Sequence, residues 1–246
     1  MKAGIVAVIL CGVLFQAGCG QKEDVAAEES SGNVEITLRQ MELLQFEDPE
    51  NENLADLLQR AGSGMMVQLW VDNVQGSGVL YGIDGGDLVI LTAAHVLEEA
   101  EGAVAVTFAD EWSILAEGYE CSTLGDFAVV RVSGENVPTE HLEQYLCANV
   151  DKDSFDAAVS ETGCIVMGCR AGVAAEAYEG VILDHWIYME DYGQYMMWVK
   201  AEGLPGMSGG GLFDRQGHFL GILSGESEDG ELAVVPLSLI LAELQN

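Results

Sequence analysis

Three short motifs follow one another in a fixed order along this 246-residue chain: Leu91-Thr92-Ala93-Ala94-His95, Gly125-Asp126-Phe127-Ala128-Val129-Val130 and Gly206-Met207-Ser208-Gly209-Gly210. They carry an imidazole, a carboxylate and a hydroxyl. A serine hydroxyl is a poor nucleophile at neutral pH. It needs a neutral imidazole to take its proton, and a carboxylate to fix the imidazole tautomer and stabilise the imidazolium. His95, Asp126 and Ser208 fit those roles, and the order His, Asp, Ser is one of the few in which this constellation occurs on unrelated folds. His95 follows the strand-like run Leu88–Leu91, Asp126 stands at the mouth of an apolar run, and Ser208 lies among glycines. Glycine permits the backbone angles and close approach that a pair of converging N–H groups, here those of Gly206 and Ser208, requires around an oxyanion.

These residues resemble those of trypsin-fold (chymotrypsin-like) serine peptidases, and the chain is most similar to the HtrA-like and glutamyl-endopeptidase-like bacterial branches. The resemblance runs from about Gly64 to the C-terminus. It also includes Gly76-Ser77-Gly78-Val79-Leu80, Gly221-Ile222-Leu223-Ser224-Gly225 and Ala233-Val234-Val235-Pro236. It implies an all-β fold of two six-stranded antiparallel β-barrels with a short C-terminal helix. It also implies a serine endopeptidase acting through an acyl-enzyme, with no metal or organic cofactor. Many HtrA-like proteins carry a peptide-binding PDZ domain after the protease; about ten residues follow Pro236 here, so none is expected.

The chain departs from the family at Met207, where the trypsin-like pattern has Asp and HtrA-like proteins usually have Asn. Methionine offers neither charge nor a good hydrogen bond, so activation by a newly cut terminal amine is not expected. Glu202 aligns with the base of the primary pocket in trypsin-like enzymes. An acidic side chain there would favour Lys or Arg, the alternative being a solvated carboxylate. Leu223 stands where glutamyl-specific relatives place a histidine, so that specificity is not carried over.

Two other classes compete with the peptidase: a catalytically silent binding module on the same fold, and an esterase. The Gly-x-Ser-x-Gly pattern around Ser208 also matches the nucleophile elbow of α/β-hydrolases. That fold needs its histidine last, and only His218 follows Ser208. His141, His185 and His218 have no obvious partner in the sequence and read as satisfied surface or core residues.

With 41 Asp and Glu against 9 Lys and Arg, the formal charge is −32. Such a field repels a phosphate backbone, which excludes nucleic acid as a natural partner and is compatible with solubility or with steering of basic substrates. The expected partners are polypeptides, basic or unfolded. Residues 1–19 read as an export signal: Lys2, an apolar core from Gly4 to Phe15, then Gln16-Ala17-Gly18-Cys19. The last three residues resemble the end of a bacterial lipobox, with Cys19 as the lipidation site, although Gln16 replaces the usual aliphatic residue. A lipid anchor, an uncleaved signal anchor and plain secretion stay open, and all three place the domain outside the cytoplasm. Cys121, Cys147, Cys164 and Cys169 remain for the folded part, as buried thiols or one bridge, with Cys164 and Cys169 on opposite faces of one strand.

Residues 20–60 divide into an acidic tether and a short prefix, in which Asn53 would cap a helix carrying Leu54, Leu57 and Leu58 on one face. From residue 61 to 246 the chain reads as the peptidase domain. Strands are expected over Met65–Val71, Val79–Ile83, Leu88–Thr92, Val104–Phe108, Phe127–Val132, Cys164–Gly168, Val181–Tyr188, Met196–Lys200, Gly211–Phe213 and Phe219–Ser224. Ser238 would cap a last helix through Leu239–Gln245.

Overall fold

Short β-branched and leucine-rich runs punctuated by Gly, Asp and Asn favour strands bounded by tight turns. A computed structural model describes residues 36–45, 53–98, 100–170, 172, 174–227 and 230–245. The export segment, Cys19 and the acidic tether lie outside the described residues. In chain order the strands are β1 (Arg39–Gln40), β2 (Met66–Val71), β3 (Val74–Asp84), β4 (Asp87–Thr92), β5 (Ala105–Phe108), β6 (Ser113–Leu115), β7 (Gly118–Cys121), β8 (Ala128–Ser133), β9 (Leu146–Cys147), β10 (Gly163–Cys169), β11 (Ala175–Met189), β12 (Gln194–Ala201), β13 (Gly211–Asp214), β14 (Phe219–Glu226) and β15 (Glu231–Pro236). The helices are α1 (Leu54–Gly62), α2 (Thr139–Leu142), α3 (Lys152–Ala157) and α4 (Leu237–Leu244).

The second half of the chain forms a closed six-stranded barrel in the order β10-β11-β12-β15-β14-β13. The first half differs from the expected second barrel. It is a seven-stranded sheet in the order β6-β5-β2-β3-β4-β8-β7, whose end strands do not pair with each other. The cause lies in residues 113–121, which supply both edges. β6 pairs with β5, then Ala116 N donates to Val104 O (2.9 Å), Glu117 N donates to Arg131 O (2.8 Å), and β7 pairs with β8. The segment crosses from one edge to the other within two residues, so the sheet wraps round without being closed by one continuous strand.

The prefix docks on the barrel as its pattern predicts. Asn53 caps α1 by accepting from Asp56 N (3.1 Å), and Leu54, Ala55 and Leu58 are buried against β10 and β11. Ahead of it, β1 pairs in parallel with β9, and Met41 is buried. Cys164 and Cys169 are both buried, because β10 is covered on its barrel face and also by α1, β2 and β3. Burial pushes both thiols up to about 12, so they stay protonated. No disulfide joins Cys121, Cys147, Cys164 and Cys169 among the described residues. The last helix starts at Leu237 after Pro236 and has no side-chain cap. Ser238 sits inside its first turn with a buried hydroxyl, so the expected cap is not one.

Leu58 is fully buried where the prefix meets the barrel. Leu58→Ala should therefore destabilise the domain by about 2–5 kcal/mol, measured by chemical denaturation. A loss well under 1 kcal/mol would show that the prefix contributes little to the fold.

Candidate active site

Strand register brings the first two motif residues together. β4 and β8 are antiparallel neighbours with Thr92 opposite Ala128, so the end of one lies beside the start of the other. His95 comes three residues after Thr92, in the 3₁₀ turn Ala94–Val96, and Asp126 two residues before Ala128. The Asp126 carboxylate accepts from His95 N (2.9 Å, Oδ1) and His95 Nδ1–H (2.8 Å, Oδ2). An ionised carboxylate only accepts, which fixes the imidazole proton on Nδ1 and leaves Nε2 as the basic atom.

The closed barrel supplies a third bond to the same carboxylate, from the Ser224 hydroxyl on β14. The loop before Asp126 is held from two further directions. Glu243 of α4 accepts from Ser122 Oγ and Thr123 N. The Gln194 carboxamide, turned so that both ends are satisfied, donates to Leu124 O (3.0 Å) and accepts from Asp126 N (3.3 Å).

These bonds set the electrostatics. Burial alone would push the Asp126 carboxyl up, but hydrogen bonds from His95 and Ser224 and the neighbouring imidazole hold it below its ordinary value. The hydrogen bond to Asp126 raises the His95 pKa against partial burial, helped by the charges of Asp126 and Glu98.

Ser208 lies in the connection between β12 and β13. Met207 N donates to Leu204 O (3.0 Å), with Pro205 and Gly206 (φ +95°) between them, the pattern of a type II turn. Glycine is obligatory at 206, since a Cβ there would stand 2.3 Å from Arg170 O; Gly209 (φ +84°) is equally confined by Ser77 O and Thr92 Oγ1. On the flanks of Ser208, Gly209 N donates to Leu223 O and Gly210 N to Met207 O, both 2.8 Å. The amides of Gly206 and Ser208, by contrast, donate to no protein acceptor among the described residues. Such a pair of available donors beside a hydroxyl suits a developing oxyanion.

The Ser208 hydroxyl is turned to Ser224 O at 3.4 Å and makes no hydrogen bond to His95 among the described residues. A long contact of this kind in a substrate-free site is readily exchanged for a tighter one. Ser224 thus touches both halves of the site, with its hydroxyl on Asp126 and its carbonyl on Ser208. Its role was not read from the sequence, although it stands inside the quoted Gly221–Gly225 motif.

Beside Ser208 opens a pocket of about 160 Å³, lined by Gly203, Leu204, Met207, Leu223, Gly225 and Leu232 among others, with Glu226 also on its wall. Leu223 is therefore part of the pocket. Glu202 is not: it is exposed and lies by Tyr178. The other histidines, read from the sequence as having no obvious partner, each have one. His218 pairs with Asp214 (2.7 Å), His141 with Asp110 (2.5 Å) and His185 with Ala158 O (2.5 Å). No cluster of three or more His, Cys, Asp or Glu able to hold a metal occurs among the described residues.

The trypsin-like peptidase domain pattern matches residues 76–222, and the chain belongs to that family. It is a serine endopeptidase by that membership. Among solved structures it is similar to an inactive serine-to-alanine form of Rv3671c from M. tuberculosis H37Rv, at 20% identity over 82% of this chain and 94% of that one, with a TM-score of 0.61. It is also similar to the HtrA-type protease AlgW with a tripeptide (21% identity, 79% of this chain and 63% of that one, TM-score 0.64) and with a decapeptide (20%, 79% and 67%, 0.63). At these identities the likeness speaks for the fold. No curated protein sequence matches the chain.

The raised His95 pKa gives a direct test. Its imidazole should titrate above the ordinary value of 6.5 and fall back toward it in Asp126→Asn, as followed by NMR of the ring protons. By linkage, the pair's stabilisation is complete below the unfolded histidine pKa and is lost as pH rises through the folded one. An unshifted His95 in the unaltered chain would contradict the pairing.

Proposed function

We propose that this endopeptidase works through His95, Asp126 and Ser208 outside the cytoplasm. Ser208 Oγ attacks the scissile carbonyl, His95 Nε2 takes its proton and later gives it to the leaving amine, and Asp126 holds the imidazole in that tautomer. The oxyanion of each tetrahedral intermediate is held by the Gly206 and Ser208 amides. The observation that carries the reading is the Asp126 carboxylate accepting from both His95 and Ser224 while Ser224 O touches Ser208 Oγ. One residue of the closed barrel thereby ties the nucleophile's loop to the base–carboxylate pair.

The pocket beside Ser208 favours an apolar side chain before the cut. Leu204, Leu223 and Leu232 give it apolar walls, and burying a lysine ammonium against them costs several kcal/mol unless it is paired. Glu226 is exposed and solvated, and Glu202 is outside the lining. Basic character in the substrate then acts over a longer range, through the −32 charge, and favours unfolded basic chains that can enter an open cleft.

The export signal and the lipobox-like Ala17-Gly18-Cys19 support attachment of this activity to a membrane by lipid on Cys19. Among the described residues no helix is long and apolar enough to cross a membrane.

A fluorophosphonate probe should label Ser208, and Ser208→Ala should lose both labelling and cleavage of unfolded casein. Peptides with Val or Leu before the cut should be hydrolysed at least about tenfold faster than those with Lys or Glu, whereas Glu202→Gln should leave that preference unchanged. Labelling without cleavage of any polypeptide would point to an esterase, and a lysine preference abolished by Glu202→Gln would restore the acidic pocket.

A further inference from the structure

Methionine at 207 raises the question of what holds the oxyanion turn. The side chain is 2% exposed, packs against Gly168, and brings only a weak thioether acceptor and no donor. The polar contacts that the turn needs come from elsewhere. Ser77, in the middle of β3 and fully buried, accepts from Cys169 N (2.7 Å) and donates to Gly206 O (2.7 Å), the closer of two carbonyls in reach, Cys169 O being at 3.3 Å. Its backbone N–H donates to Ser208 O (2.8 Å), and its carbonyl accepts from Thr92 Oγ1 (2.7 Å). Every polar atom of this one residue is engaged, and two of its bonds end on the turn.

The consequences can be followed peptide by peptide. The unit joining Gly206 to Met207 is held at its carbonyl by Ser77 Oγ and at its amide by Leu204 O. The unit joining Met207 to Ser208 is held at its carbonyl by Gly210 N. The unit joining Ser208 to Gly209 is held at its carbonyl by Ser77 N and at its amide by Leu223 O. What these bonds leave unengaged is the pair of amides that the oxyanion requires, at Gly206 and Ser208. We propose that Ser77 is the positioning residue of the oxyanion turn, its hydroxyl fixing the Gly206 carbonyl from the other sheet in place of a side chain at 207. This rests on the assignment of Ser208 as nucleophile.

Removing the hydroxyl leaves Gly206 O and Cys169 N without this partner, and the Gly206–Met207 unit is then held only at its amide. The backbone angles of Gly206 are less fixed, and the preceding Pro205–Gly206 unit, which carries the Gly206 amide, gains freedom to turn that amide away. A donor misplaced rather than deleted weakens the transition state more than the bound substrate. The test uses the full chain and a peptide amide with leucine before the cut. In Ser77→Ala, kcat should fall about 10- to 100-fold while KM changes less than about threefold. Affinity for a peptide boronate, whose tetrahedral adduct occupies the oxyanion site, should fall in parallel, and affinity for the product peptide should not. Ser77→Cys, close in volume with a weaker donor, should lie between the two and decides the matter where the alanine variant is not folded.

An unchanged kcat in folded Ser77→Ala overturns the proposal. So does a loss in which boronate and product affinities fall together, since that is a general loosening of the site. Ser208→Ala separates the two readings. If the unaltered chain cleaves and Ser208→Ala does not, the nucleophile stands whatever Ser77 does. If the unaltered chain neither cleaves nor binds the boronate, both fall together.

Discussion

The carboxylate of Asp126 is the point on which the site closes. It is only 17% exposed at its side chain and accepts from three donors, two from His95 and one from Ser224. A buried carboxylate without partners is strongly unfavourable, so the three bonds and the charge depend on one another. Two of the donors come from the sheet that carries Asp126 itself, brought near by the β4–β8 register; the third comes from the barrel. The carboxylate therefore links the two halves of the domain and at the same time fixes the proton on His95 Nδ1. Tautomer choice and inter-sheet packing are one interaction here, and the supports from Glu243 and Gln194 serve to keep the approaching loop where that interaction needs it.

Much of this was legible in the sequence where side-chain pattern and function coincide. His95 and Asp126 stand at the ends of apolar runs, so reading those runs as adjacent strands already places both at one edge. The Asn53 cap and the Leu54, Leu58 face of α1 follow from local chemistry alone. The segment 113–121 was missed because β6 and β7 are three and four residues long, mostly exposed, with only Ile114 and Tyr119 packing inward. β15 showed through its Ala233–Pro236 motif rather than through alternation, since nearly all of it is buried. Ser238 was misread because a hydroxyl just ahead of an apolar run looks like a cap, while Pro236 is what starts the helix.

The site was less legible where a residue acts through its backbone or across a long sequence gap. Ser224 is one hydroxyl in an apolar strand, and both its partners are distant: Asp126 lies 98 residues away and Ser208 16. Two of the remaining histidines show the same limit, His141 and His185 finding partners 31 and 27 residues away. His218, by contrast, meets Asp214 only four residues back, a pairing that becomes evident once the tight turn between them is known. Glu202 illustrates the converse: an alignment of spacing before the serine pointed to a pocket floor, but the chain leaves β12 at Ala201 and sends that carboxylate outward.

Methionine at 207 becomes intelligible against this background. An acidic or amide side chain at that position would anchor the turn from within its own barrel, and in the acidic case would make its geometry depend on a counter-charge. Here the position is given over to packing, and the turn's polar contacts run instead to Leu204, Leu223 and, across the seam, to Ser77. A chain of net charge −32 has few cations to hold another buried carboxylate, whereas a neutral serine satisfied on every polar atom carries no such requirement. The arrangement makes the oxyanion turn depend on how the first sheet sits against the barrel. It also leaves no carboxylate at 207 for a newly cut terminal amine to engage, so the turn is held by the seam between sheet and barrel rather than by a charge at its own residue.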